Sequence, residues 1–349
     1  MSRKKPVVFI VGLVNFNWSL DWNAKTVSKY LDKDKFEVVT MSTYRNQTGT
    51  EGLQEVTLIK RKYPDKIWQF WAHFRALLKA DIAIIYRHDE YKRYQWLYKL
   101  FRCPVVTILG INPNLENKRF GLTYWNSFKS IYALSPENKA FCKEAGLPMS
   151  DTILSNPIDL TKFWEVRKIR STLKQVAFVG NDFERKHLSE YLDMATTFTH
   201  LTFHVVGGYE KELETLKEQL TGYPDLNNVR VHGMIDREAL IAILNDCELH
   251  ILPSRKEGRP KTAIESAAAG LPSILFYGYG AEEYIKHNEN GFIVNDKQEM
   301  QACVQALLDD PSLLNKLSEN TSAMAEAFDI RSRITEYEDE LQRLLSSLG

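Results

Sequence analysis

The chain has 349 residues, of which 44% are hydrophobic and 26% charged, and its formal net charge is zero. That is length enough for two domains and the composition of an ordinary globular protein, which excludes a disordered or low-complexity chain. Cys103, Cys142, Cys247 and Cys303 are scattered, with no C-x-x-C pair and no histidine at metal spacing, which excludes a disulfide scaffold and a zinc module and reads as thiols in a reducing cytoplasm.

Taken in chain order, the first element is Val7-Val-Phe-Ile-Val11 behind Ser2-Arg-Lys-Lys5. It imitates a signal peptide, but the run is short, β-branched and followed by Asn15, Asn17 and Asp21 without a small-residue cleavage site, so it reads as a buried strand. The sequons at Asn46 and Asn320 are then irrelevant to a cytosolic chain. Gly12 ends this strand and opens an Asn-rich loop; a plain strand-end turn and a ligand contact both fit it. No G-x-G-x-x-G follows, which argues against an NAD fold. Asp32-Lys-Asp34 follows a helix rather than a buried strand and reads as a polar turn, not a metal-nucleotide motif.

Further β-rich runs at Phe36–Met41, Val56–Lys60, Ile82–Tyr86, Val105–Leu109 and Ser130–Leu134 alternate with helical patterns. The clearest helix is Pro64–Ala80, where Ile67, Phe70, Trp71, Phe74, Leu77 and Leu78 form one face of period 3.6. His88 follows the fourth strand, at the end of the sheet where ligands bind; a surface histidine in a charged loop fits it as well. A second series lies at Gln175–Val179, Leu201–Val206, Val229–Val231, Leu249–Leu252, Ser273–Phe276 and Gly291–Val294. Such alternation predicts an α/β protein of two doubly wound, Rossmann-like domains with parallel sheets. The boundaries read as 1–160, a polar linker at 161–174, a second domain at 175–329 and a closing helix at 330–349. No stretch approaches the roughly 18 apolar residues of a membrane-spanning helix.

The halves differ in charge. Residues 1–165 carry 25 Lys and Arg against 16 Asp and Glu, while residues 166–349 carry 20 against 29. A first half with that excess should meet something anionic. Lys60–Lys79 and Tyr91–Arg102 mix aromatics with bases, a composition that suits either a core helix with a basic outer face or a membrane interface.

The densest motif is Ser254-Arg-Lys-Glu-Gly-Arg-Pro-Lys-Thr-Ala-Ile-Glu-Ser-Ala-Ala-Ala-Gly270-Leu-Pro272, with Glu257 and Glu265 eight residues apart. It follows the apolar strand ending at Leu252, so the first glutamate falls in a Gly/Pro loop and the second about two turns later on a helix. A helix starting near Lys261 aims unpaired N–H groups at the loop, a seat for phosphate. This run resembles the E-x7-E signature of glycosyltransferase family 4, retaining enzymes of the GT-B fold. Ser155-Asn-Pro-Ile-Asp159…Phe163, Val179-Gly180, Val206-Gly-Gly208, Val229-Arg-Val-His-Gly233 and Gly278-Tyr-Gly-Ala-Glu-Glu-Tyr-Ile285 resemble further landmarks of that family.

The resemblance implies the GT-B fold, with an acceptor-binding first domain and a nucleotide-sugar-binding second domain facing across a cleft. It also implies roles. Glu265 would hold the donor ribose, and Glu257 would lie beside the donor sugar with Gly258, Arg259, Pro260, Lys261 and Thr262 around it. Lys186 would neutralise the departing diphosphate next to Gly180. The family's Arg at the following position is Asn181 here, and Arg185 and Arg255 are the candidates to replace its charge. The family's sugar-touching histidine has no counterpart after the fifth strand, where Gly110 and Asn112 stand nearest. Together these imply a cytoplasmic, metal-independent hexosyltransferase without cofactor, peripheral at the inner face of the membrane. Its donor would be a UDP-, GDP- or ADP-sugar and its acceptor a glycan or lipid-linked sugar; nucleic acid is not expected. The rivals are a nucleotide-sugar 2-epimerase of the same fold and a non-catalytic sugar-binding module, the latter favoured by Asn181.

Overall fold

The computed structural model describes residues 5–15, 19–44, 49–221 and 226–347; Asn17 of the Asn-rich loop and the Asn46 sequon lie outside them. The chain divides into two compact units, Met1–Asp159 with Ile330–Gly349, and Leu160–Asp329.

The first unit is built on seven parallel strands: β1 (Val7–Leu13), β2 (Glu37–Thr43), β3 (Thr57–Arg61), β4 (Ile82–Ile85), β5 (Val105–Leu109), β6 (Ser130–Ala133) and β7 (Met149–Ile153), in the order β3-β2-β1-β4-β5-β6-β7. β1 and β4 are buried along their whole length, as strands covered on both faces must be, and hence read as continuous apolar runs. The edge strand β7 was not expected. Met149-Ser-Asp-Thr-Ile153 has no apolar run, and its exposed Asp151 pairs with Lys143 at 2.7 Å.

The second unit has six parallel strands: β8 (Gln175–Val179), β9 (Thr202–Val206), β10 (Val229–Gly233), β11 (Leu249–Leu252), β12 (Ser273–Phe276) and β13 (Gly291–Val294), in the order β10-β9-β8-β11-β12-β13. The helices of the two units include α1 (Ser19–Tyr30), α2 (Lys66–Leu77), α3 (His88–Leu100), α4 (Arg237–Asp246), α5 (Lys261–Ala268) and α6 (Ile330–Ser346).

One sequence expectation is corrected: the stretch 161–174 is not a linker but part of the second unit. It contains the short helix Thr161–Glu165 with Phe163 buried, and Arg170, which is itself buried. Arg170 donates to the carbonyls of Leu244 and Asn245 at 3.4 and 2.6 Å and to that of Ala269 at 2.8 Å, so one guanidinium satisfies the open carbonyl ends of both α4 and α5. A basic, polar composition thus conceals a structural strut. Arg170→Ala should lower the stability of this unit by about 2–3 kcal/mol, because buried carbonyls lose a charged donor. A denaturant midpoint equal to wild type would refute that role.

The apolar face of α2, left open between core and surface, is divided: Leu77 is buried and Phe70 and Phe74 pack half-buried against the core, while Ile67, Trp71 and Leu78 are exposed. The other buried positions are Gln69, Ala72, His73 and Ala76. The reason is a polar network in the core. His73 Nδ1 lies 2.7 Å from Tyr98 Oη, and its Nε2 lies 3.4 Å from Glu90 Oε2. Glu90 in turn accepts from Arg61 and Arg87, and Arg87 clamps Asp21 through Nε and Nη2 at 2.8 and 2.7 Å. Burial alone would raise the Glu90 carboxyl, but the His73 bond and the charges of Arg61 and Arg87 prevail and hold it near about 2.

The closing helix α6 packs within the first unit. Glu338 takes the Asp32 amide at 2.9 Å and Lys35 at 2.7 Å, and Glu340 takes the Tyr132 and Thr152 hydroxyls at 2.9 and 2.7 Å.

Candidate active site

In the second sheet, β8 pairs with β9 on one side and β11 on the other, so the connections after β8 and β11 leave in opposite directions around the strand order. Such a switch point opens a crevice at the carboxyl ends of the strands. Both parts of the sequence motif end there.

After β8, the Gly180 amide donates to the Val206 carbonyl at 2.9 Å, and the Asn181 side chain accepts from the Gly208 amide at 2.9 Å. Asn181 therefore ties the loops after β8 and β9 together. Gly207 has φ of 110°, and a Cβ there would lie 2.3 Å from the Gly180 carbonyl oxygen, so only glycine fits. Lys186 is buried and runs back across Gly180, where a Cβ would come within 2.4 Å of Lys186 Cδ.

The loop after β11 carries Glu257. Lys186 Nζ reaches Glu257 Oε1 at 2.8 Å, and Arg185 Nη1 reaches the same oxygen at 2.9 Å while also bonding the Lys256 carbonyl. Residues 71 and 72 positions apart are thus joined by strand order. Arg185 is steadied from behind by Asp182 at 2.9 Å. Arg185 thus stands as a second cation beside Lys186 at Glu257. Arg255 pairs instead with Glu190 and lies over the Phe276 ring at 4.3 Å. Arg259 is likewise directed to Glu283 at 3.0 Å and stacks over Phe328 at 5.1 Å, so it fixes the loop rather than pairing with Glu257.

Gly180→Ala should therefore act at a distance. The added methyl displaces the Lys186 stem, and turnover should fall as for loss of Lys186 while the fold melts near its usual temperature. Unchanged turnover in that variant would contradict the packing.

Helix α5 begins at Lys261 behind the N-cap Pro260, whose side chain makes no capping bond, and its first turn carries no acid. Its first N–H groups thus form a seat for an anion. Thr262 Oγ1 is buried there without a hydrogen-bond partner. Glu265 is buried and pairs with Arg237 at 3.1 Å. Arg237, the first residue of α4, also lies over the Phe163 ring at 4.7 Å. Desolvation lowers the Lys261 ammonium to about 8; Glu265 opposes the shift and Arg237 adds to it. Arg237 escaped the sequence reading because it follows an ordinary Asp cap and belongs to no motif.

The first-unit candidates are placed differently. Gly12 is a packing glycine, since a Cβ would meet Ala24 Cβ of α1 at 2.3 Å. His88 opens α3 and is held by Tyr124 Oη at 2.7 Å among the rings of Trp125 and Phe128; burial lowers its pKa to about 4, so it is neutral at physiological pH. Asn112 bonds Asn138 at 2.5 Å, and Gly110 faces open space. Asp32 Oδ1 accepts from the Asp34 amide at 2.7 Å, the polar turn expected for that pair.

Residues 161–324 match the model of the glycosyl transferases group 1 family. An uncharacterized glycosyltransferase of Haemophilus influenzae is 26% identical over 221 residues, covering 59% of this chain and 59% of that protein. The N,N'-diacetylbacillosaminyl-diphospho-undecaprenol alpha-1,3-N-acetylgalactosaminyltransferase of Campylobacter jejuni is 24% identical, covering 63% of this chain and 62% of that one. This chain thus spans about three fifths of the length of these relatives. Among solved structures, HepE of Anabaena in complex with UDP superposes with a TM-score of 0.75 at 16% identity, over 97% of this chain and 100% of that one. The fold is α/β with two Rossmann-like, parallel-sheet domains, as in GT-B glycosyltransferases. No helix among the described residues is long and apolar enough to cross a membrane.

Proposed function

We propose that the protein is a retaining glycosyltransferase of family 4. It moves a sugar from a UDP-, GDP- or ADP-linked donor to a glycan or lipid-linked acceptor. The observation that carries this reading is the convergence of Lys186 and Arg185 on Glu257 beside the open N-terminus of α5. The donor ribose is assigned to Glu265 and the diphosphate to Lys186, Arg185 and the first N–H groups of α5. The transferring sugar is assigned to the neighbourhood of Glu257. The glycosidic bond to the diphosphate breaks with its electron pair leaving on the phosphate oxygen. The acceptor hydroxyl bonds the same face of the anomeric carbon and gives its proton to that oxygen. Preorganised cations favour this step because negative charge grows on the leaving group.

The acceptor is assigned to the first unit, where the excess of bases lies. A lipid-linked acceptor would set the protein at the inner face of a membrane. The Arg185–Glu257 pair, a second cation beside Lys186, supports a catalytic reading over a non-catalytic module.

Thermal-shift measurements with UDP-, GDP- and ADP-sugars test the reading. A donor at about 100 times its dissociation constant should add about 2.7 kcal/mol. Stabilisation by none of them sinks it. Turnover should also survive excess chelator, because Lys186 and Arg185 do the charge work. Loss of activity that Mg²⁺ or Mn²⁺ restores would overturn that part.

A further inference from the structure

Arg237 stands where helix stability alone would not place a base. It is the first residue of α4, behind the Asp236 cap that accepts from the Ala239 amide at 2.8 Å. A cation at that position faces the positive end of the helix dipole, which is unfavourable. The guanidinium leaves its own helix for α5, where Nη1 lies 3.1 Å from Glu265 Oε1. Both side chains are largely withdrawn from water, at 15% and 7% exposure. A buried ion pair loses in desolvation much of what it gains in attraction, so stability does not account for the pair.

The pair is braced from a third element. The short helix Thr161–Glu165 sets the buried Phe163 ring 4.7 Å from the Arg237 guanidinium, and its Lys162 pairs with Glu238, the next residue of α4. A planar guanidinium that lies over a ring and reaches a carboxylate oxygen has little freedom left. Positive charge is already at hand, because Lys261 opens α5 one turn before Glu265. What Arg237 adds is direction: it holds Glu265 from one side, through Oε1. Because α4 and α5 each follow a parallel strand of one sheet, both start at its carboxyl end, where ligands bind.

We infer that Arg237 is a positioning residue for ribose recognition: it orients Glu265 so that the chain prefers ribonucleotides to nucleotides lacking the 2′ and 3′ hydroxyls. The inference rests on the proposed assignment of the donor ribose to Glu265. Arg237 itself touches no reacting atom.

Calorimetric titration of the full chain tests it, with whichever of UDP, GDP and ADP binds and with the 2′,3′-dideoxy form of that nucleotide. Wild type should prefer the ribonucleotide about ten- to hundredfold, and Glu265→Ala should abolish the preference. Arg237→Met keeps an apolar stem beside Phe163. It should bind the ribonucleotide about tenfold more weakly than wild type and the dideoxy nucleotide equally well. Arg237→Lys, which keeps the charge without the planar fork, should fall between the two and serves where the Met variant does not fold. Arg237→Met combined with Glu265→Ala should bind the ribonucleotide no more weakly than Glu265→Ala alone, because the two residues act as one unit. Variants of Arg237 that weaken both nucleotides equally overturn the inference, as do variants with the full wild-type preference. A wild type that does not distinguish the two nucleotides, or a Glu265→Ala that still does, would instead sink the ribose reading of Glu265 and the inference with it.

Discussion

Replacing Lys186 by alanine should lower turnover by about two to three decades, the usual effect of removing one preorganised group that stabilises transition-state charge. The proposed role needs a cation fixed in place. It is buried, laid across Gly180 and aimed at Glu257 Oε1. The Arg185→Ala loss should be smaller, because Arg185 is more exposed and shares its charge with Asp182. The Michaelis constant should change less than turnover, since the charge being stabilised develops in the transition state. Steady-state kinetics of the two variants and their combination check this. Turnover near wild type in Lys186→Ala would remove the leaving-group role.

The two glutamates should separate by sign. Glu265→Ala should weaken nucleoside diphosphate binding about ten- to hundredfold, as expected on losing one or two charged hydrogen bonds to a ribose diol. Glu257→Ala should bind the same ligand as tightly as wild type or more tightly, because it frees Lys186 and Arg185 from their counter-ion. Its turnover should nonetheless fall. Calorimetric titration of both variants decides the matter. Wild-type affinity in Glu265→Ala, or weakened affinity in Glu257→Ala, would reverse the assignment.

What was legible in the sequence follows physical lines. The buried strands announced themselves, since a parallel strand covered on both faces must be apolar throughout; the polar edge strand Met149–Ile153 has no such need and was missed. The motif around Glu257 and Glu265 is local, so its loop and helix could be read directly. The Lys186–Glu257 contact depends on β8 lying beside β11, which no local pattern encodes. Arg185 could be named as a spare charge but not placed. Arg170 looked like linker because its partners are carbonyls, which leave no trace in a sequence. Helix α2 was read with the right period, but only Phe70, Phe74 and Leu77 of its apolar face pack on the core. Periodicity finds the apolar stripe, but here His73 and its buried partners determined which side faces the core.

The central claim, acceptor-dependent sugar transfer with retention, is tested most directly by following both products of one reaction. The protein is incubated with the nucleotide sugar that stabilises it, with and without a membrane lipid extract. Released nucleoside diphosphate is quantified, and the anomeric configuration of the new linkage is read by NMR. The account predicts release that requires the extract and a product with the donor's own anomeric configuration. Release without any acceptor, recovery of an epimerised sugar, or an inverted linkage would contradict it.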